Sequence, residues 1–208
     1  MPGATTTSPP PTTAKGRETR RRIVEAASDL MVDRGVAAVS LDEVGRVTST
    51  SKSQMYHYFA DKDELVAAVV ICVRDRILGF QRGLLEAAET VDDVAHWADA
   101  IVAFHRQAAR WPGCPLGTLA GELTSESGSG RSDIGEAFDS WLLLLQDAVA
   151  RLQRSGRLRP DADPERLAMA TLASLQGGLL LSRALQDESP LSVALDAAVD
   201  HLRSFAVD

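Results

Sequence analysis

Cysteine is almost missing from this chain. Cys72 and Cys114 are the two in 208 residues, too few and too far apart for a disulfide framework or a metal cluster. Long apolar runs are missing too. The longest uncharged stretch, Leu167 to Ser182, is broken by Thr171, Ser174, Gln176, Gly177 and Gly178 and falls short of the roughly 20 apolar residues that span a bilayer. No N-terminal segment joins a basic start to an apolar core, so no secretory signal is expected. Strand-like alternation and internal repeats are absent. The four histidines, at 57, 96, 105 and 201, are scattered, and no Ser/His/Asp spacing, phosphate-binding glycine loop or metal-ligand set accompanies them. These absences argue against an enzyme, against any cofactor or metal, and against a membrane partner. A cytoplasmic protein is expected.

What is present suits a soluble globular protein, at 45% hydrophobic and 25% charged residues. The length allows one large domain or two small ones. The net charge of −7 is unevenly spread: residues 1–62 carry a balance of +2 and residues 63–208 a balance of −9. A small DNA-binding head on an acidic body would have this asymmetry, and the local field at a contact face matters more than the global sum.

Residues 1–16, rich in Pro, Thr and Ser, cannot bury enough surface to order themselves and read as a disordered arm. From Arg17 to Arg34, apolar residues recur at Ile23, Ala26, Ala27, Leu30 and Met31, one face of a helix closed by Gly35. Three capping boxes follow in about two dozen residues: Ser40-Leu41-Asp42-Glu43, Ser51-Lys52-Ser53-Gln54 and Asp61-Lys62-Asp63-Glu64. The first opens a short helix expected to turn Leu41, Val44 and Val47 inward, and Thr48-Ser49-Thr50 ends it. Short helices so closely punctuated pack at steep angles, the grammar of a helix-turn-helix. Helices are further expected near 61–88, 91–110, 116–126, 132–155, 164–187 and 190–206. The fold class is all-α, with about nine helices.

Both tyrosines lie two residues apart in Ser51-Lys52-Ser53-Gln54-Met55-Tyr56-His57-Tyr58-Phe59. Small polar residues lead and long hydrogen-bonding side chains follow, as in a recognition helix whose N-terminal residues meet base edges in the major groove. Gln54 can bond adenine bidentately, and Lys52 can reach guanine or a phosphate, with Ser53 beside them. Met55 and Phe59 point back into the head. Tyr58 is as suited to packing on the first helix as to contact. Lys62 adds its charge at a helix N-terminus that already favours anions. Ser40 and Ser51 cap their helices and lie within reach of phosphates.

The run Ser40 to Phe59 with Asp61-Lys62-Asp63-Glu64-Leu65, preceded by Thr19-Arg20-Arg21-Arg22-Ile23-Val24-Glu25-Ala26-Ala27 and Arg34-Gly35, resembles the helix-turn-helix of the TetR family of bacterial transcriptional regulators. Gly113-Cys114-Pro115-Leu116-Gly117 and Leu175-Gln176-Gly177-Gly178 resemble the branch that includes the LmrA- and YxaF-like repressors. The chain departs from the family at Thr48-Ser49-Thr50, where members usually carry Ala-Gly-Val. Ser49 would hold a positive φ at a cost that glycine avoids, and the Thr50 hydroxyl would need a partner.

The resemblance implies phosphate contacts from Tyr56, His57 and Arg20, and a division into an arm (1–16), a DNA-binding domain (17–62) and a ligand-binding and dimerisation domain (63–208). It further implies a homodimer built from the last two long helices, presenting two heads to a pseudo-palindromic operator. Leu175, Gly178, Leu179, Leu195, Val199 and Leu202 are the expected interface residues. The uncharged helix over Leu167–Ser182 reads as buried on more than one face, and Gly177-Gly178 as the close approach of another helix or a ligand. The family's small-molecule pocket would be lined here by Trp97, Ile101, Phe104, His105, Trp111, Leu119, Trp141, Leu145 and Gln176. No charged constellation among them announces an ionic ligand, so a mostly apolar effector is expected. Cys114 reads as a structural corner. The function expected is that of a sequence-specific repressor released from its operator by such an effector. The rival is a helical interaction protein with a degenerate DNA-binding head, suggested by the odd turn and the acidic body.

Overall fold

The computed structural model describes residues 11–108, 111–123 and 129–207. Among these, nine α-helices follow in order: α1 (Ala14–Arg34), α2 (Leu41–Val47), α3 (Lys52–Tyr58), α4 (Lys62–Glu86), α5 (Val91–Arg106), α6 (Pro115–Leu123), α7 (Ser129–Arg154), α8 (Pro164–Leu185) and α9 (Ser189–Arg203). No strand occurs among the described residues, and a lone antiparallel bridge pairs Leu158 with Ala206. The expected all-α class is the one observed. Most of the expected N-terminal arm lies outside the described residues. Its last residues are helical, because Thr13 caps α1 by accepting from the Gly16 N–H at 3.0 Å, so α1 starts at Ala14 and not at Arg17. The Ser/Gly-rich break expected at 125–130 also lies largely outside the described residues.

The helices form two compact units, one of residues up to Asp75 with 118–137, the other of 76–117 with 138 onward. The expected boundary after residue 62 falls at the first residue of α4, whereas the first unit continues along that helix through Asp75.

In the first unit, Ile23, Ala27, Met31, Val44, Met55, Phe59, Leu65 and Val69 are buried together as the core of the three-helix head and the start of α4. Gly35 takes φ 89° past the end of α1 and donates to Met31 O at 2.9 Å, the left-handed close of a helix. The three predicted N-caps form: Ser40 Oγ accepts from Glu43 N, Ser51 Oγ from Gln54 N, and Asp61 Oδ1 from Glu64 N. One inward expectation fails. Val47 is 60% exposed, because the buried line from Val44 continues through Thr48 and Thr50 instead.

The second unit packs α8 on α9, with α5 against α9. A Cβ on Gly178 would stand 2.9 Å from Leu191 Cα and 3.1 Å from Ala194 Cβ, so the glycine is where α9 crosses α8 most closely. Buried Ser182 accepts from the Leu191 N–H at 3.0 Å and closes the corner between them. This packing also takes up the residues expected at the interface: Leu175, Gly178, Leu179, Leu195, Val199 and Leu202 are all buried within the single chain. The outward faces of the two helices carry Met169, Leu180, Leu181, Leu185 and Val193 instead, all exposed.

Candidate functional site

Two places gather the chemically capable side chains: the outer face of α3 in the first unit and a cavity in the second. The turn before α3 decides how that helix is held. Ser49 takes φ 51°, the left-handed conformation usually left to glycine. Thr50 N then donates to Gly45 O at 2.8 Å. The Thr48 hydroxyl donates to Val44 O at 2.8 Å and lies 2.9 Å from the Thr50 hydroxyl, which gives the buried Thr50 its partner. Gly45 makes the close contact possible: a Cβ there would meet Thr50 O at 3.0 Å and Met55 Cγ at 3.2 Å. The departures at 48–50 are thus absorbed by hydroxyl bonds within the turn, and α3 is formed.

Helix α3 turns Met55 inward, and its C-cap Phe59 is buried beside it, leaving Lys52, Ser53, Gln54, Tyr56 and His57 outside. Lys52 is extended and 70% exposed at its side chain, with Nζ 3.6 Å from Asp42 and 6.0 Å from the Tyr56 ring centroid. Gln54 is not idle. Its Oε1 accepts from the Ser51 N–H at 3.1 Å and closes the capping box, so bidentate pairing with adenine would require it to leave the box. Tyr58 is half-buried, its hydroxyl 3.8 Å from where a Cβ on Gly16 would stand, which places it against α1. Arg20 lies 4.9 Å over the Phe59 ring, and Lys62 Nζ donates to Ala37 O at 3.4 Å. Ser40 is exposed at the start of α2. Arg46 and Ser49, not among the expected contact residues, are exposed beside Val47 at the end of α2 and in the turn. No periodicity signals them, since exposure here depends on where α2 stops.

Electrostatics holds the head together at its edge. Arg34 donates to Glu43 at 2.7 Å and joins the end of α1 to α2, and that bond keeps the Glu43 carboxyl below its usual range. Glu18, then Glu25, pull the Arg21 pKa upward, so Arg21 is engaged along α1.

The cavity, of about 110 Å³, is lined by α4, α5, the start of α6, α7 and α8. Of the nine residues expected around an effector, Ile101, Phe104, His105 and Trp141 line it. Trp97 is fully buried behind it, Trp111 stacks beside His105 with ring centroids 6.1 Å apart, and Leu145 is plain core. Leu119 belongs to the first unit. Gln176 does not line the cavity; its side chain lies near Gly117 and Cys114. Leu175 and Leu179, expected at the dimer interface, are lining residues. So are Ile77, Phe80 and Gln81, unexpected because α4 was read for its link to the head, and Cys114, expected only as a structural corner.

Gln81 is the polar centre. It is 3% exposed, and its Oε1 accepts from both Trp97 Nε1 at 3.1 Å and Trp141 Nε1 at 3.0 Å. His105 Nδ1 sits 2.9 Å from Ile101 O, which can only accept, so the proton lies on Nδ1. Burial pushes the Cys114 thiol up, against the Gly117 N–H that reaches Sγ at 3.3 Å. Among the described residues no three His, Cys, Asp or Glu side chains group as a metal site, and no helix is long and apolar enough to cross a membrane.

A helix-turn-helix in the first unit and a partly open apolar cavity in the all-helical second are the features of a DNA-binding transcriptional regulator. The comparisons name the family. Residues 23–69 match the model for bacterial regulatory proteins of the tetR family, and residues 90–198 match the tetracyclin repressor-like C-terminal domain. The chain belongs to the TetR family. It is 28% identical over 185 residues to an uncharacterized HTH-type transcriptional regulator in the lacX 3' region of Lactococcus lactis, covering 86% of this chain and 91% of the other. YxaF and LmrA of Bacillus subtilis are each 23% identical, with 84% of this chain covered in both cases and 90% and 91% of theirs. A TetR-family regulator from Cytophaga hutchinsonii has the same fold, with a TM-score of 0.83 at 21% identity, over 95% of this chain and all of the other.

Proposed function

We propose that the protein is a cytoplasmic repressor that binds a pseudo-palindromic operator as a homodimer and is released by a small, mostly apolar effector. The observation that carries the DNA-reading part is the outward set Lys52, Ser53, Tyr56 and His57 on a helix anchored by Met55 and Phe59. Lys52, at the N-terminus of α3, is positioned for a base edge or a phosphate, and Tyr56 and His57 for phosphates one turn along. Arg20 and Tyr58 act chiefly by packing the head, and Ser40 and Ser51 by capping. Lys62, tied to Ala37, fixes the corner between α1 and α2.

The homodimer reading rests on the exposed apolar residues of α8 and α9. Met169, Leu180, Leu181, Leu185 and Val193 are exposed apolar residues of the kind that a second copy covers in a two-fold pair. The effector reading rests on the cavity. Helix α4 supplies Leu65, Val66 and Val69 to the core of the head and Ile77, Phe80 and Gln81 to the cavity, so an effector that shifts α4 acts on both.

Operator binding tests the proposal. Tyr56→Phe combined with Gln54→Ala should weaken affinity for the upstream operator at least tenfold, with thermal unfolding followed in parallel because Gln54 also caps α3. Unchanged affinity would place the reading face elsewhere. The log–log salt dependence should have a slope of about −0.9 per phosphate contacted. Lys52→Ala should flatten it by about one contact if Lys52 meets a phosphate; a slope near zero in the parent protein would overturn the proposal.

A further inference from the structure

We infer that the cavity takes a neutral, single-ring molecule bearing a carbonyl or hydroxyl oxygen, which accepts a hydrogen bond from Gln81 Nε2. The inference rests on the cavity being the effector site and names the chemistry of the effector. It begins with the two indoles. An indole N–H can only donate, and both Trp97 and Trp141 donate to the same atom of Gln81. That atom must be Oε1, so the orientation of the amide is set by its partners. Nε2 is left with two N–H donors, in a side chain 3% exposed that lines the cavity, and no acceptor among the described residues meets them. These donors face the cavity, where a ligand oxygen can replace solvent as their acceptor.

The rest of the lining narrows the class. Ile77, Phe80, Ile101, Phe104, Leu175 and Leu179 supply apolar surface that suits a ring. A volume of about 110 Å³ is of the order of the ~150 Å³ cavity known to hold one benzene, so a single ring is the scale of the occupant. Arg76, the charged lining residue, is exposed, whereas Gln81 is buried with neutral groups around its amide. A carboxylate drawn to Gln81 would lose its hydration without gaining a counter-ion there. His105 turns Nδ1 to Ile101 O, so Nε2 is the ring nitrogen left for a ligand hydroxyl.

The test compares acetophenone with α-methylstyrene, two molecules of nearly the same shape in which C=O is replaced by C=CH2. Calorimetric titration of the full-length parent protein should give several-fold, up to about tenfold, tighter binding for the ketone, although the ketone is the more readily hydrated of the two. Benzoate should bind more weakly than the ketone. Gln81→Met should remove the ketone's advantage while leaving the alkene bound. Since that change also strips the acceptor from Trp97 and Trp141, the parent-protein comparison stands as the deciding measurement.

Tighter binding of the alkene or of benzoate by the parent protein, or binding of none of the three, overturns the inference. Operator release is followed separately by fluorescence anisotropy of labelled DNA. Ketone preference without release supports the ligand class and overturns the effector reading. Release by other compounds with no ketone preference overturns the inference and leaves the effector reading standing.

Discussion

Ser49 carries the main local strain of the head. Its φ of 51° is a conformation that a side chain makes costly, and it sits where the chain reverses between α2 and α3. Ser49→Gly should relieve that strain, partly offset by the greater freedom of glycine in the unfolded chain. The expected gain is about 0.5–1 kcal/mol, a rise in Tm of about 1–4 °C for a protein of this size, seen in a calorimetric scan. A fall in Tm would mean that the serine side chain makes a stabilising contact that the strain argument ignores. The need for a positive φ here is legible from the sequence by analogy with Ala-Gly-Val. The bond between Thr48 and Thr50 is not, because it depends on both hydroxyls being buried by α2 and α3. The same holds for Gln81, an ordinary glutamine in an amphipathic helix until folding brings Trp97 and Trp141, 16 and 60 residues further on, to its oxygen.

Helix ends are the best-read features of the chain, because their signals are local. The serine caps at 40 and 51 and the aspartate at 61 stand where spacing placed them, since a side chain meeting an N–H three residues away needs no tertiary partner. Helix faces are read less well. Val47 was assigned inward and lies outside, since a seven-residue helix leaves too few turns for periodicity to fix its buried side. Where helices cross, glycine decides. Gly178→Ala would push a methyl against the Leu191 backbone and should cost about 1–3 kcal/mol, measurable by urea unfolding. A neutral result would show that α9 can move aside freely.

Charge links the elements as well. Glu18, Glu43, Asp93, Asp161 and Asp187 each accept a bond that lowers their pKa in the folded chain, led by Arg21, Arg34, Thr90, Arg159 and Ser189 respectively. Groups depressed on folding contribute stability above their unfolded values and lose it as pH falls through the folded ones. Asp133, raised by burial and by Glu136, runs the other way. With five groups against one, stability should be level near neutrality and decline below about pH 4.5. Denaturant midpoints at a series of pH values check this; a midpoint that rises on acidification would contradict it.

At the scale of the whole molecule, the exposed apolar face of α8 and α9 is the one the sequence hid. Alternation between buried and exposed apolar residues along α8 cannot be seen from composition, because the segment is uncharged on every side. Leu175 and Leu179 were assigned to a partner chain, yet they line the cavity of their own. Leu180, 67% exposed, stands on the opposite side. Leu180→Arg together with Val193→Arg should dissociate the dimer and weaken operator binding, since each half-site would then be bound alone. Sedimentation and operator titration check both effects; a dimer that survives both charges would move the interface off this face.

The sequence by itself determined what depends on neighbours in the chain: the helical class, the caps and the punctuation of the helix-turn-helix. These follow from bonds and torsions spanning three or four residues. Only the tertiary structure decided which side of α8 is core, which residues enclose the cavity, and that a glutamine on α4 holds two tryptophans while its amide nitrogen stays unmet. Those outcomes come from packing between residues far apart in the chain, where an uncharged helix offers several faces of nearly equal hydrophobicity and its neighbours choose among them. The outer face of α3 belongs to both: its residues were readable in order, but their exposure was settled by the burial of Met55 and Phe59.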